Sequence, residues 1–267
     1  MTLSTPYPFL ISDIDGTLVH NNIKPAQHII AGIQQARARG LRIALASGRN
    51  RMELLWYMDA FGIEEPYIAL GGAYVGDPRQ EEAVYQSRLG RDAVEYVVEV
   101  ARAESVDIVI EFPNKLIFEL HAHFMKELGR VSSPVIHLKP GEFQPNELPG
   151  KIVLVGSVAQ IQRVMAALND FSGSMEYTCS RANVLDITVA GVHKGRALRA
   201  LAEHIHLPLE KIAAVGDGGN DASMLAAAGL GIAMGNSTDE LKAGADLVAP
   251  HVEDDGFLWV LNTLLDM

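Results

Sequence analysis

An apolar strand that stops at a pair of carboxylates constrains this chain more than any other feature. Residues Pro8 to Ser12 form an apolar run, and Asp13-Ile14-Asp15-Gly16-Thr17 follows directly. Both acids then sit at the carboxyl end of a strand, where open α/β sheets bind their ligands. The arrangement returns about 200 residues later. There Ile212–Val215 is again apolar, and Gly216-Asp217-Gly218-Gly219-Asn220-Asp221 follows it before a helix. Asp and Gly are common in turns, so one such loop says little. Two of them, each closing an apolar strand, point to one parallel sheet and one site.

The intervening pattern supports that sheet. Short apolar runs alternate with amphipathic stretches, as βαβ units require. Ile29, Ile30, Ile33 and Ala36 share a helix face that ends near Gly40, and Leu41 to Ala46 reads as a buried strand running into Ser47-Gly48-Arg49. A helix over Arg51 to Phe61 and a strand over Tyr67 to Leu70 come next. Then the rhythm changes. Tyr74-Val75 and Val84-Tyr85 flank Gly76-Asp77-Pro78 as in a hairpin, and short strands near Ile108–Glu111 and Leu116–Glu119 flank Pro113-Asn114. Pro134 to Gly150, with four prolines, reads as a surface connection. Lys151–Val155 is a strand, followed by a helix with Ile161, Val164, Met165 and Leu168 on one face. From about Val184 the parallel rhythm resumes, with Ala197, Leu198, Leu201 and Ile205 on a helix and Gly231–Met234 as a further strand. The expected class is α/β. A Rossmann-like parallel-sheet core spans residues 1–78 and 188–267, and an α+β domain is inserted at 79–187.

Two carboxylates leaving one strand at alternate positions aim at one space. One can attack phosphorus while the other moves a proton, and together they can hold Mg²⁺, which takes hard oxygen ligands. Asp217 and Asp221 flank a glycine-rich turn, where Asn220 can donate to a phosphate oxygen. Ser47 and the amide of Gly48, at another strand end, could hold a phosphoryl oxygen. Lys194 opens a helix, a place the helix dipole makes poor for a cation. Four carboxylates and a phosphoryl group would account for it.

Taken together, Asp13-Ile14-Asp15-Gly16-Thr17-Leu18, Ser47-Gly48-Arg49, His193-Lys194-Gly195 and Gly216-Asp217-Gly218-Gly219-Asn220-Asp221 resemble, in order, the four motifs of the haloacid dehalogenase (HAD) superfamily. The length, the insert between Ser47 and Lys194, Asn236 after Ala233-Met234-Gly235, and Asp254-Asp255-Gly256 are similar to its Cof-type phosphatase branch with a C2-class cap. The resemblance implies Asp13 as nucleophile and as a magnesium ligand, with the backbone carbonyl of Asp15 and the carboxylate of Asp217. It makes the Asp15 side chain the general acid and base. Ser47, Gly48 and Asn220 would bind the phosphoryl group, Lys194 would offset charge around Asp13, and Asp221 would support the metal shell. The implied reaction is Mg²⁺-dependent hydrolysis of a small phosphorylated metabolite, a sugar phosphate or similar, through an aspartyl phosphate. A phosphomutase of the same superfamily is the nearer alternative. A phosphate-responsive regulatory module resembling a receiver domain is the other, although such modules are shorter and carry no cap. One departure stands out: the branch usually shows Asn-Gly-Ala where this chain reads Gly71-Gly72-Ala73, which puts inherited substrate contacts in doubt.

Charge narrows the partners. With 33 acidic residues against 22 basic ones and a net charge of -11, the chain lacks the basic stripe that nucleic acid needs. It is equally ill-suited to an anionic membrane surface. No segment approaches the roughly 18 apolar residues of a membrane span. The expected partner is therefore a small-molecule phosphate ester, drawn in by local charge from metal, lysine and backbone amides. Cys179 is the single cysteine, so no intrachain disulfide forms, and a cytoplasmic address is expected. The opening residues show no secretory-signal pattern. Cys179 reads as a small buried residue, Trp56 and Trp259 as packing residues, and His121-x-His123 as an exposed polar face rather than a metal pair. No Walker A sequence is present.

Overall fold

A computed structural model describes residues 5–20, 25–119 and 133–267. They divide into one unit of Met1–Arg49, Leu54–Tyr85 and His193–Met267 and a second of Asn50–Glu53 and Gln86–Val192. In chain order the elements begin with β1 (Phe9–Ser12), α1 (Gln27–Ala38), β2 (Arg42–Leu45), α2 (Arg51–Phe61), β3 (Tyr67–Ala69), β4 (Tyr74–Gly76) and β5 (Tyr85–Gln86). The second unit continues through α3 (Arg91–Ala103), β6 (Asp107–Glu111), β7 (Leu116–Glu119), β8 (Val135–Leu138), β9 (Lys151–Val155), α4 (Val158–Leu168), β10 (Glu176–Arg181) and β11 (Val184–Thr188). The chain returns to the first unit for α5 (Lys194–His204), β12 (Ile212–Gly216), α6 (Ala222–Leu225), β13 (Leu230–Ala233), α7 (Asp239–Ala243), β14 (Leu247–Val248) and α8 (Gly256–Asp266).

The first unit carries a parallel sheet in the order β14-β13-β12-β1-β2. All four residues of β1 are buried, which explains the apolar run Phe9-Leu10-Ile11: a parallel strand covered on both faces has no solvent side, and Ser12 at its end is fully buried too. Ser12 pairs with Val215 on one side and Leu45 on the other, so β12, β1 and β2 end level. Loops distant in sequence thereby leave the sheet side by side. Ala197, Leu198 and Leu201 of α5 pack with Phe9, Ile11 and Ala214 in one buried cluster.

One strand behaves differently from expectation. β3 meets the parallel sheet only through an isolated bridge between Ala46 and Ile68, and it pairs antiparallel with β4 in a separate sheet ordered β3-β4-β5. The cause is local. Leu70, Gly71 and Gly72 all have positive φ (52°, 66° and 108°) and reverse the chain at once.

The second unit is a six-stranded sheet ordered β10-β11-β9-β6-β7-β8, antiparallel except where β8 joins β7. Side chains alternate along each strand. Ile108, Ile110, Ile152 and Leu154 share one cluster with Val94, Val97, Ile161 and Val164 of α3 and α4, while Val109, Val153 and Val155 belong to another. Ser157 and Gln160 cap α4 reciprocally.

Three sequence expectations need correction here. The stretch Pro134 to Gly150 is more than a surface connection, because Val135–Leu138 forms the edge strand β8. Its prolines flank the strand and leave the ladder intact. The segment beyond is pinned by Glu119, fully buried, which accepts from the N–H groups of Gly141 (2.9 Å) and Phe143 (3.0 Å) and from Arg102 (2.7 and 2.8 Å). Cys179 is exposed rather than buried, because β10 is an edge strand. Trp56 and Trp259 are packed on one side only, at 36% and 37% exposure. The His121-x-His123 pair lies outside the described residues.

Candidate active site

Asp13 is the first residue past β1. Its N–H donates to the carbonyl of Val215 (3.0 Å), which ties it to the end of β12, and it is 6% exposed. Lys194, the first residue of α5, is fully buried, and its Nζ donates to Asp13 Oδ1 (2.6 Å) and Asp221 Oδ1 (2.5 Å). Those two carboxylates offset the helix dipole that otherwise disfavours a cation there. Asp221 Oδ2 accepts in turn from the N–H groups of Asp217 (3.1 Å) and Gly218 (2.9 Å), so one carboxylate holds both the lysine and the acidic loop.

Asp217 is steadied from the opposite loop. Thr17 donates its hydroxyl to Asp217 Oδ1 (3.0 Å), and the Asn236 amide donates to Asp217 Oδ2 (3.3 Å) and to the carbonyl of Gly16 (2.8 Å). Gly16 has a φ of +83°, and a Cβ there would stand 2.2 Å from Asp217 Oδ2. Only glycine lets the two acidic loops close so tightly.

Asp15 is oriented apart from this cluster. Its side chain is 42% exposed and accepts from Arg49 Nε (2.9 Å) and Nη2 (2.7 Å). Ser47 lies at the end of β2, where the N–H of Ala46 donates to Ser12 at the end of β1 (2.8 Å). Gly48 is half-buried, with open space where a Cβ would stand. Asn220 is exposed on the acidic loop, its amide oxygen over Gly218. Asp13, Asp217, Asp221 and Lys194 thus converge, Asp15 and Ser47 flank them, and Gly48 and Asn220 occupy adjoining loops. Arg49, Thr17 and Asn236 stand in the sequence motifs, but residue type and spacing assign them no contact there. A hydroxyl directly after the loop glycine was the available signal for Thr17.

The donor set suits a hard divalent cation. Asp13, Asp217 and Asp221 each offer an oxygen, all within 4.8 Å of one another. Three carboxylates against one ammonium leave two negative charges in a largely buried place. Oxygen donors and that charge fit Mg²⁺. Burial, opposed by Lys194 and reinforced by Asp221 and Asp217, holds the Asp13 carboxyl well above its usual range. Burial works against the charge on Lys194 too, yet Asp13 and Asp221 outweigh it and hold the ammonium above its ordinary value.

A pH prediction follows. Burial, then the charge of Asp221, lifts Asp217 from 3.8 to about 6 in metal-free protein. Between those values the folded state keeps a proton that the unfolded chain has lost, so metal-free stability falls as pH rises through this window. Mg²⁺ should therefore raise Tm more at pH 7.5 than at pH 5, and Asp217→Asn should flatten the metal-free profile. Glu111 in the second unit shifts the same way, to about 7 through burial, so the Asp217→Asn comparison isolates the site. Calorimetry showing an equal Mg²⁺ effect at both pH values would contradict this.

Among the described residues no helix is long and apolar enough to cross a membrane. A family model described as haloacid dehalogenase-like hydrolase matches residues 10–261. A 5-amino-6-(5-phospho-D-ribitylamino)uracil phosphatase of Bacillus subtilis is 24% identical over 257 residues, covering 93% of this chain and 94% of that protein. The HMP-PP phosphatase of Klebsiella pneumoniae is 26% identical, covering 90% and 87%. Among solved structures, a haloacid dehalogenase-like hydrolase from Bacteroides thetaiotaomicron has a TM-score of 0.87 at 23% identity, over 97% of this chain and 99% of that one. A HAD subclass IIB sugar phosphatase has a TM-score of 0.81 at 24% identity, over 96% and 98%. At such identities these two structures speak for the fold alone.

Proposed function

The chain belongs to the haloacid dehalogenase-like hydrolases, and from that premise we propose that it hydrolyses a small phosphorylated metabolite, a sugar phosphate or similar, through an aspartyl phosphate on Asp13. That it is a phosphatase follows from its near-full-length relatives. The observation that carries the finer reading is the buried Lys194 ammonium, 2.6 Å from Asp13 and 2.5 Å from Asp221. A lysine so placed offsets the charge that would otherwise repel an anionic ester from an anionic nucleophile.

In the first step an Asp13 carboxylate oxygen bonds to phosphorus as the ester P–O bond breaks, and Asp15 gives its proton to the departing oxygen. In the second, water attacks the same phosphorus, Asp15 takes its proton, and the bond to Asp13 breaks to release inorganic phosphate. The Ser47 hydroxyl, the Gly48 amide and the Asn220 side chain hold phosphoryl oxygens. Mg²⁺, bound by Asp13, Asp217 and the main-chain carbonyl of Asp15 and supported by Asp221, would supply positive charge to those oxygens. The core, residues 1–78 and 188–267, carries the chemistry, and the insert at 79–187 carries selectivity for the leaving group.

A panel of phosphorylated metabolites tests this reading. Inorganic phosphate should appear with Mg²⁺, stop with excess EDTA and return poorly with Ca²⁺, whose larger and looser shell misplaces the attacking oxygen. Undiminished release in EDTA would remove the metal from the mechanism. Isomerised ester in place of free phosphate would make the protein a mutase.

A further inference from the structure

Arg49 has no role in the two steps above, yet both its backbone and its guanidinium are held in place. Its N–H donates to Ser47 Oγ (3.2 Å), and its carbonyl accepts from the N–H of Leu70 (2.8 Å). Its guanidinium lies over the Tyr57 ring at 5.1 Å, and Tyr57 is itself buried. From that seat Nε and Nη2 reach both oxygens of Asp15, at 2.9 and 2.7 Å. The Arg49 side chain is 15% exposed, so this is no loose surface pair, and such pairs contribute little.

Asp15 needs such a partner. Its last torsion is intrinsically broad, and at 42% exposure the carboxylate is far more open than those of Asp13 and Asp221, at 8% and 1%. A general acid must reach the leaving oxygen within hydrogen-bond distance. A planar fork sets both the position and the plane of a carboxylate, whereas an ammonium is a point charge that sets neither. The same arginine acts on Ser47. Because Ser47 Oγ accepts from the Arg49 N–H, its own hydrogen is turned away and can meet a phosphoryl oxygen.

We infer that Arg49 is the positioning residue of the acid–base step, holding the Asp15 carboxylate in the plane from which it serves the leaving oxygen and then the attacking water. The inference rests on the proposed role of Asp15 in a two-step reaction.

The test compares the Mg²⁺-loaded parent with Arg49→Lys and Arg49→Gln on two esters of similar shape, phenyl phosphate and 4-nitrophenyl phosphate. Phenolate is the poorer leaving group and depends more on protonation. Both variants should lose about 10²-fold in kcat on phenyl phosphate, the cost of a misplaced catalytic group. Their phosphorylation step with 4-nitrophenyl phosphate, read from the nitrophenolate burst, should fall far less, and KM should rise for neither ester. A KM that rises for both esters with an unchanged ratio would make Arg49 a phosphate ligand and overturn the inference. Equal losses in the phosphorylation step on both esters would overturn it as well, because a merely structural residue does not sense the leaving group. Full activity of Arg49→Lys on phenyl phosphate would show that charge suffices and the fork is unnecessary. A parent that never forms a phosphoenzyme refutes the two-step reading itself, whereas an intact parent with any of the other contrary results refutes only the role of Arg49.

Discussion

Asp13→Asn should lower kcat by about 10⁴-fold or more at saturating ester and Mg²⁺, because an amide oxygen is a poor nucleophile and only positioning and electrostatic effects remain. The fold should tolerate the change. Asn keeps the shape of Asp, and the carboxyl it replaces is held above its usual range by burial and by Asp221 and Asp217. Lys194 keeps its contact with Asp221 at 2.5 Å. Tm should therefore stay within a few degrees, which separates lost chemistry from lost structure. A variant retaining more than a tenth of the parent's turnover would show that Asp13 does not attack phosphorus.

Asp15→Asn should divide the reaction in two. With 4-nitrophenyl phosphate the leaving group needs little protonation, so the first step survives. Hydrolysis of the intermediate loses its general base and should slow by about 10²- to 10⁴-fold. The expected trace is a burst of nitrophenolate equal to the enzyme, followed by a slow steady state. On phenyl phosphate the first step should fail too, and the burst disappears. A metal-only role for both aspartates predicts equal damage from Asp13→Asn and Asp15→Asn, with no burst from either. Arg49→Gln should produce a milder version of the Asp15→Asn pattern.

Much of this was legible because parallel strands write themselves plainly. Phe9–Ser12 and Ile212–Gly216 are buried on both faces, so all their residues but the closing Ser12 are apolar and the acids that follow mark their ends. Helices α1, α4 and α5 were equally readable, since each buries residues at three- and four-residue spacing. The edge strand β8 was hidden because an edge needs only one ladder and can sit between prolines. The turn-back after β3 was hidden because Leu70 adopts a positive φ that its identity does not advertise.

The site divided along similar lines. Carboxylates and Lys194 declare chemistry by residue type, so Asp13, Asp217, Asp221 and Lys194 could be named before their contacts were known. The partners that set geometry could not. Nothing in the order Ser47-Gly48-Arg49 says that the arginine turns back onto Asp15, because that contact depends on β1 and β2 lying in register and on Tyr57 supporting the guanidinium. Asn236 reaches Gly16 and Asp217 only because β13 lies beside β12.

The central claim is a covalent bond between Asp13 and phosphorus. Parent protein mixed with 4-nitrophenyl phosphate and Mg²⁺, quenched in acid within milliseconds to seconds and digested, should yield the peptide containing Asp13 with a single added phosphoryl group. The Asp15→Asn protein should hold the same label far longer, and Asp13→Asn should never acquire it. An unlabelled peptide at every time point, together with inversion of configuration at phosphorus in the product, would mean that water attacks the ester directly and that Asp13 only binds metal.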